Sequence, residues 1–267
     1  MPRGERIFVA AIRHYCARHG IPVEVRADGW LIAMESGPKR HFAFGYDIGL
    51  NSAIAHRLAN DKSATSEVLA LSGVPCIPHQ LFLNPNLGPR VVGPGWREAM
   101  RSLLGQNPQG VVVKPNEGTA GRSVFRATTE MELDHAVDEV FSMSLGLVIS
   151  PYIEIEQEVR VVLLDDAPLV VYGKQRGADW RHNLDLGAQP LLLGSGETHA
   201  ACTRMATEAA RAIGITFASI DLIRVDGAWK VLEINSGVMM ETLGKLYPEL
   251  VQATYDAALD RVFGKTT

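Results

Sequence analysis

The sequence predicts an α+β fold, and three observations point there. Short alternating runs are joined by turn-forming residues: Glu158 to Leu164 and Leu169 to Tyr172 flank Asp165-Asp166-Ala167-Pro168, and Ala218 to Arg224 and Trp229 to Asn235 flank Val225-Asp226-Gly227. Helical spacing is interspersed among these hairpins instead of following every strand in turn. No GxGxxG follows a strand, so the dinucleotide fingerprint of a doubly wound parallel sheet is missing.

Taken in chain order, Ile7 to His19 places apolar side chains at helical spacing, and Gly20 stops the helix. PVEVRADGWLIAME and KRHFAFGYD alternate as short strands around turns at Gly29 and Ser36-Gly37-Pro38. Asn51 to Leu71 is helical with a break near Asn60-Asp61, and Gly73 with Pro75 and Pro78 ends it. Asn84 to Trp96 is a Pro- and Gly-rich loop. Gly110 to Lys114 and Ser123 to Ala127 are strands about a glycine turn. Thr128 or Thr129 caps a helix to about Met143, its acidic first turn facing the positive end of the helix dipole. Leu147 to Ser150 is a strand, Gly177 to Gly187 a loop, Ala200 to Ile213 a helix closed by Gly214, and Leu250 to Val262 a final helix.

With 267 residues, 46% hydrophobic and a net charge of −4, the chain has enough apolar material for one large core or two to three small ones. The mild acidity argues against nucleic-acid binding, which calls for a basic face. No run of about eighteen apolar residues exists, so no membrane span is expected. Arg13 and His14 interrupt the apolar stretch of the N-terminus, and no small-residue cleavage site follows, which favours a helix over a signal peptide. Cys16, Cys76 and Cys202 have no metal-binding spacing and fit reduced, mostly buried thiols of a cytoplasmic protein.

Two clusters carry chemistry. In VVVKPNEGTAGRSVF, Lys114 closes an apolar run, where a solvated charge is poorly placed and an ammonium facing a phosphate is better explained. The turn that follows, Glu117, Gly118, Thr119, Gly121, Arg122 and Ser123, lets backbone N–H groups close on an anion. It is not a Walker A loop, since GxxxxGK[ST] is absent. In the second cluster, Glu233 and Asn235 share one face of a strand, with Asp221 opposite on its hairpin partner. Two carboxylates among Ile220, Val231, Leu232 and Ile234 would repel unless a cation neutralised them, and with the Asn235 carboxamide oxygen they make the all-oxygen set that Mg2+ favours. In SPYIEIEQEVRVV, Glu158 is placed to accept from ribose hydroxyls, Arg160 lies on its face, and main-chain groups near Tyr152 and Ile153 are suited to an adenine edge.

These residues resemble an ATP-grasp enzyme, over about Asn60 to Val262. Lys62, in NDKSATSEVLALSGVPCIP, resembles the first ATP-binding lysine and Lys114 the second. Gly118 to Val124 resembles the glycine-rich lid, and Ser150 to Glu158 the hinge strand that holds adenine and ribose. Asp221, Glu233 and Asn235 resemble the Mg2+ ligands. ADWRHNLDLGA is similar to the DFRSNLxxGG segment of RimK-type glutamate ligases and glutathione synthetases, which places Arg181 and Asn183 near the γ-phosphate or the acceptor carboxylate. KPNEGTAGRSV is also similar to the cyanophycin synthetase loop.

The resemblance implies two α+β subdomains clasping ATP, over 61–150 and 151–267, behind a small N-terminal pre-domain over 1–60. The family's larger leading domain is here about sixty residues, and its Asn-x-x-Pro-Gly turn reads Asn235-Ser236-Gly237-Val238. Val238 to Glu241 either shapes an acceptor pocket or fills the core with Met239 and Met240. The implied activity is ATP-dependent ligation of a small-molecule carboxylate to an amine through an acylphosphate, with Mg2+, or Mn2+ as a substitute. Lys62 and Lys114 would hold the phosphates, and Arg160 and Arg181, helped by Lys174, would neutralise the transferring group. A small-molecule kinase and a non-catalytic nucleotide-binding protein are the alternatives. A homodimer lending surface to the pocket is compatible with the short first domain.

Overall fold

The computed structural model describes residues 4–88, 93–118, 123–175 and 189–265. Among them lie three antiparallel sheets. Helix α1 (Ile7–Arg18) precedes the first sheet, of β1 (Val23–Arg26), β2 (Leu31–Ser36) and β3 (Lys39–Phe44). The alternating stretch around Gly29 is two strands because Ala27, Asp28 and Gly29 all take positive φ, and such a left-handed turn cannot continue a pleat. Helices α2 (Ala53–Asn60) and α3 (Lys62–Leu71) follow, broken at Asp61 as the sequence predicts.

A four-stranded sheet comes next, with β4 (Gln80–Leu83), β5 (Val111–Pro115), β6 (Phe125–Ala127) and β7 (Gly146–Pro151) in the order β4-β7-β5-β6. Helices α4 (Trp96–Gln106) and α5 (Glu130–Met143) cover it, through Met100, Leu133, Ala136 and Val140. Thr129 closes a capping box on α5: its hydroxyl accepts from the Glu132 amide while Glu132 reaches back to the Thr129 amide.

The third sheet holds β8 (Gln157–Leu164), β9 (Ala167–Gln175), β10 (Gln189–Leu192), β11 (Phe217–Val225) and β12 (Ala228–Asn235), in the order β10-β9-β8-β11-β12. Helices α6 (Glu197–Ile213), α7 (Glu241–Leu246) and α8 (Pro248–Phe263) complete the chain. The sequence reading lacks β4, α4, β10 and α7. β4, β10 and α7 are short, and their exposed Leu81, Leu83, Leu191, Leu192 and Leu246 show how little of each is pulled into a core; α4, 11 residues long, buries Met100 alone, with Trp96, Ala99, Leu103 and Leu104 half-covered against it. The expected loop at Gly177 to Gly187 lies outside the described residues.

Alternation divides the five-stranded sheet into two faces. Val159, Val161, Leu163, Ala218, Ile220, Leu222 and Ile234 point to one core with α2, α3 and α6. On the other face Val162, Val170, Tyr172 and Phe217 join a core built from α1, β2 and α8, so the first fifty or so residues pack on the C-terminal half. Toward the other end of β8, β9 and β11 that same face turns polar, and the cleft lies there.

Asp61 is the joint that places Lys62. Its carboxylate accepts from the Ala64 amide (2.8 Å), the Ser63 hydroxyl (2.8 Å) and the Asn116 amide nitrogen (2.7 Å), tying the start of α3 to the end of β5. Asp61→Ala is expected to cost about 1–2 kcal/mol, measured as a shift in the urea unfolding curve; an unchanged midpoint would remove this joint from the fold.

Candidate active site where the sheets meet

The site begins with strand alternation. On β11, Ser219, Asp221 and Ile223 face the cleft between the apolar Ile220 and Leu222 of the opposite face. Asp221 pairs with Glu233 and Ser219 with Asn235 on β12. A bulge then leaves Leu232 without its own partner: Asp221 opposes Glu233, but Leu222 opposes Val231. That extra residue lets Leu232 and Glu233 both line the cleft, whose volume is about 630 Å3.

Beneath Asp221 lies a buried network of four charges. Arg160, its partner on β8, grips both carboxylate oxygens at 2.6 Å through Nε and Nη2. Lys174 on β9 approaches Asp221 to 3.0 Å and donates to Glu158. Burial pushes the Asp221 carboxyl up, but Arg160 and then Lys174 outweigh it and hold the group well below the usual carboxylate range. For Glu158 the balance reverses: burial dominates, Lys174 only partly offsets it, the like charge of Asp221 adds to it, and the carboxyl rises to about 7. The expectation that Asp221 and Glu233 would need a bound cation is therefore corrected, because Arg160 and Lys174 already neutralise Asp221.

Opposite this network are two ammonium groups. Lys114 on β5 is 8% exposed, and among the described residues its ammonium has no hydrogen bond or ion pair. Burial lowers it to about 8; Glu233 opposes that shift and Lys62 adds to it. Lys62, at the start of α3, donates to the Gly118 carbonyl at 2.9 Å and is likewise lowered by burial, against Glu233 and Asp61. Two neighbouring ammonium groups of lowered basicity, one of them buried without a partner, make a receptor for an anion.

The hinge lies at the other end of the cleft. Ile77, Ile153, Ile155, Ile223 and Leu232 form a small apolar cluster there. The Tyr152 amide donates to the Gly110 carbonyl at 3.0 Å, so it is spent on joining β7 to β5 and does not serve a ligand. The Ile153 amide makes no backbone hydrogen bond among the described residues.

A family model described as a RimK-like ATP-grasp domain matches residues 98–248, more than half of the chain. The chain belongs to the RimK-like ATP-grasp family. It is a family of carboxylate–amine ligases that use ATP. A probable alpha-L-glutamate ligase of Alkalilimnicola ehrlichii is 25% identical over 225 residues, which are 83% of this chain and 70% of that protein. One from Legionella pneumophila (strain Corby) is 25% identical over 199 residues, covering 73% of this chain and 61% of that protein. Among solved structures, the D-alanine–D-alanine ligase of Bacillus anthracis superposes with a TM-score of 0.63 at 18% identity, over 80% of this chain and 69% of that one. A D-cycloserine synthetase gives 0.57 at 20% identity, over 76% and 70%. These two likenesses show the fold.

In this ATP-grasp chain one cleft gathers Lys62, Lys114, Gly118, Tyr152, Ile153, Glu158, Arg160, Lys174, Asp221, Glu233 and Asn235. Two expected residues are not among its lining: Glu117 is exposed beside Asp61, and Ser123 donates to the Met143 sulfur at 3.1 Å. Thr119, Gly121, Arg122, Arg181 and Asn183 lie outside the described residues. Sequence reasoning missed Asn116, whose side chain accepts from the Ser63 amide at 3.1 Å, although an Asn directly after Lys114-Pro115 was a legible signal. It also missed Trp30 and Tyr46, which belong to no motif and reach the cleft through the packing of the N-terminal sheet, and His56 and Asn60, which α2 brings in beside β12. Among the described residues no helix is long and apolar enough to cross a membrane. The three cysteines are free, with Cys16 and Cys202 buried and Cys76 half-buried.

Two outcomes are expected. Asp221→Asn leaves Arg160 and Lys174 buried without their main counter-charge, so it should lower stability by about 3–5 kcal/mol in chemical denaturation; a loss under about 1 kcal/mol would mean the network is dispensable. A depressed carboxyl contributes stability above its unfolded value near 4, as an order of magnitude, and loses it as pH falls through the folded value. Lys114 gives the second. An anion binds the protonated ammonium, so ATP affinity should be flat below pH 8 and fall as pH rises past it, with proton uptake on binding; calorimetry in buffers of differing ionisation heat reads both, and an affinity independent of pH from 7 to 10 would contradict it.

Proposed function

We propose that this chain activates a small carboxylate with ATP and transfers the acyl group to an amine, forming an amide. One observation carries the reading: Lys114, a buried residue whose ammonium has no partner among the described residues, shares a cleft with Lys62 and with the oxygen-bearing Glu233 and Asn235. The relatives named glutamate ligase support it. The substrate oxygen attacks the γ-phosphorus, the bond to the β-bridging oxygen breaks and ADP leaves. The amine nitrogen then attacks the acyl carbon, phosphate departs with the bonding pair, and the amine proton is lost. Such transfer proceeds by positioning and charge stabilisation and needs no covalent protein nucleophile.

Lys114 and Lys62 would bind the phosphates, the Ile153 amide and the apolar hinge cluster the adenine, and Glu158 the ribose. Arg181 and Asn183 are proposed at the transferring phosphoryl group, with Thr119, Gly121 and Arg122 over the triphosphate. The donor set fits Mg2+. A carboxylate has about four lone-pair positions; Arg160 and Lys174 occupy three on Asp221, leaving one on Oδ1 beside Glu233 and Asn235. Magnesium bound there would neutralise phosphate charge, and Mn2+ would substitute. We assign 61–150 and 151–267 as the two ATP-grasping subdomains and 1–60 as the leading unit.

Glu233→Gln removes a charge from the cleft and touches no ion pair within 4 Å among the described residues. It should cut kcat/KM by about a hundredfold or more while changing stability by less than about 1 kcal/mol. Retained turnover in an ADP-release assay with Mg2+ would refute the assigned metal site. A small-molecule kinase is separated by its products: ligation releases free phosphate only when both acid and amine are present.

A further inference from the structure

Beyond the proposed metal cluster, at the end of the cleft away from the hinge, lies an alcove that the phosphate chemistry does not use. Its position follows from the sheet register. Ile223 marks the hinge end of β11 and Ser219 the other, four residues or roughly 13 Å along the strand. Ser219 pairs with Asn235, and two residues beyond Asn235 the chain reaches Gly237. A Cβ on Gly237 would touch Tyr46 at 3.4 Å, so Tyr46 stands past Asn235 on the side where the γ-phosphate and both substrates must meet.

The alcove walls are aromatic. Trp30, Phe44 and Tyr46 line it with Met239 and Met240, and Trp30 and Phe44 are 52% and 67% exposed. Two of the rings, Trp30 and Tyr46, are fixed from behind. The Arg6 guanidinium lies 4.8 Å from both the Trp30 and Tyr46 ring centroids and donates to the Gly45 and Gly29 carbonyls. Gly45, at φ +64°, leaves room that a Cβ would fill at 3.2 Å from the Trp30 ring. Tyr46 is further held by Glu241, whose carboxylate also accepts from the Ile7 and Phe8 amides. Among the described residues, the charges that line this end are the carboxylates of Asp47 and Glu241; the lysines and arginine of the cleft, Lys62, Lys114, Arg160 and Lys174, sit on the phosphate side, and Arg6 lies behind the rings, its two terminal nitrogens on the Gly45 and Gly29 carbonyls and its Nε buried without a partner. Asp47 accepts from the Gly49 amide and faces His56 Nδ1 at 3.1 Å, which leaves it lone pairs toward the cleft.

We infer that this alcove is the amine subsite and that it selects an amine with a flat or bulky apolar body and no second carboxylate, of the arylalkylamine type. The inference rests on the ligase reading and deepens it. Rigid ring faces beside a carboxylate recognise an ammonium and an apolar group together. An acidic amine such as glutamate would bring its side-chain carboxylate against Asp47 and Glu241, with no described cation there to receive it.

The test uses the full chain saturated with a non-hydrolysable β,γ-imido ATP analogue and Mg2+, titrated calorimetrically with phenethylamine and with L-glutamate. Phenethylamine should bind about tenfold tighter, and Phe44→Ala and Trp30→Ala should each erase most of that preference. Analogue binding by each variant, read as a shift in melting temperature, shows that it is folded; Phe44, the more exposed ring, carries the test if Trp30→Ala does not fold. Glutamate binding as tightly as phenethylamine, no measurable binding of either, or an unchanged preference in folded Phe44→Ala would overturn the inference. So would a ring variant that changes only the oligomeric state, which would make the rings a contact between copies. The ligase reading is scored separately by hydroxylamine trapping with ATP and a pool of amino acids: absence of any hydroxamate defeats that reading and leaves the amine titration readable in its own right.

Discussion

The contact between Arg160 and Asp221 holds the floor of the cleft. Both side chains are nearly buried, and their charges are tolerable only because the geometry is bidentate and because Lys174 and Glu158 complete a net-neutral set. The four residues come from three adjacent strands, so the network fixes β8, β9 and β11 in register on the face where chemistry is proposed. It also presents Asp221 with one unused lone pair, a restrained donor where a freely hydrated carboxylate would be a mobile one.

Above that floor the charge balance is deliberately incomplete. Lys114 is buried without a direct partner among the described residues, and Lys62 spends its ammonium on the Gly118 carbonyl at the root of the glycine turn. A folded chain accepts such a cost where a ligand will offset it, and a polyanion is the ligand that offsets two ammonium groups. The cleft is thus graded along its length: apolar at the hinge, cationic and oxygen-rich in the middle, aromatic and acidic at the far end. The grading matches the order proposed above for the parts of the ligation, from base to phosphates to acceptor.

Much of the central site was legible because it depends on local pattern. Period-two alternation put Glu233 and Asn235 on one face, and the Asp226-Gly227 turn set a hairpin that brings Asp221 close to Glu233; regular pairing would place Asp221 opposite Leu232, and the bulge, which no turn signal announces, moves it opposite Glu233. The apolar run before Lys114 marked a buried ammonium. Illegible were the contacts between elements distant in sequence. Arg160 reaches Asp221 across sixty-one residues, and nothing local says that β8 rather than another strand lies beside β11. The Tyr152 amide looked available until β5 came alongside β7 and Gly110 took it.

The sequence by itself determined the kinds of element, the turns between them, and which side chains share a strand face, because these follow from backbone geometry over a few residues. It also placed the two lysines and the three oxygen donors in one reading. Only the tertiary structure decided what those groups meet: that Asp221 is neutralised from within the protein, and that Trp30, Phe44 and Tyr46 close the far end of the cleft. The reason is physical. Partner choice between remote strands and the seating of the N-terminal sheet on α7 and α8 are settled by burial of shared apolar surface, a property of the whole chain that no short window contains.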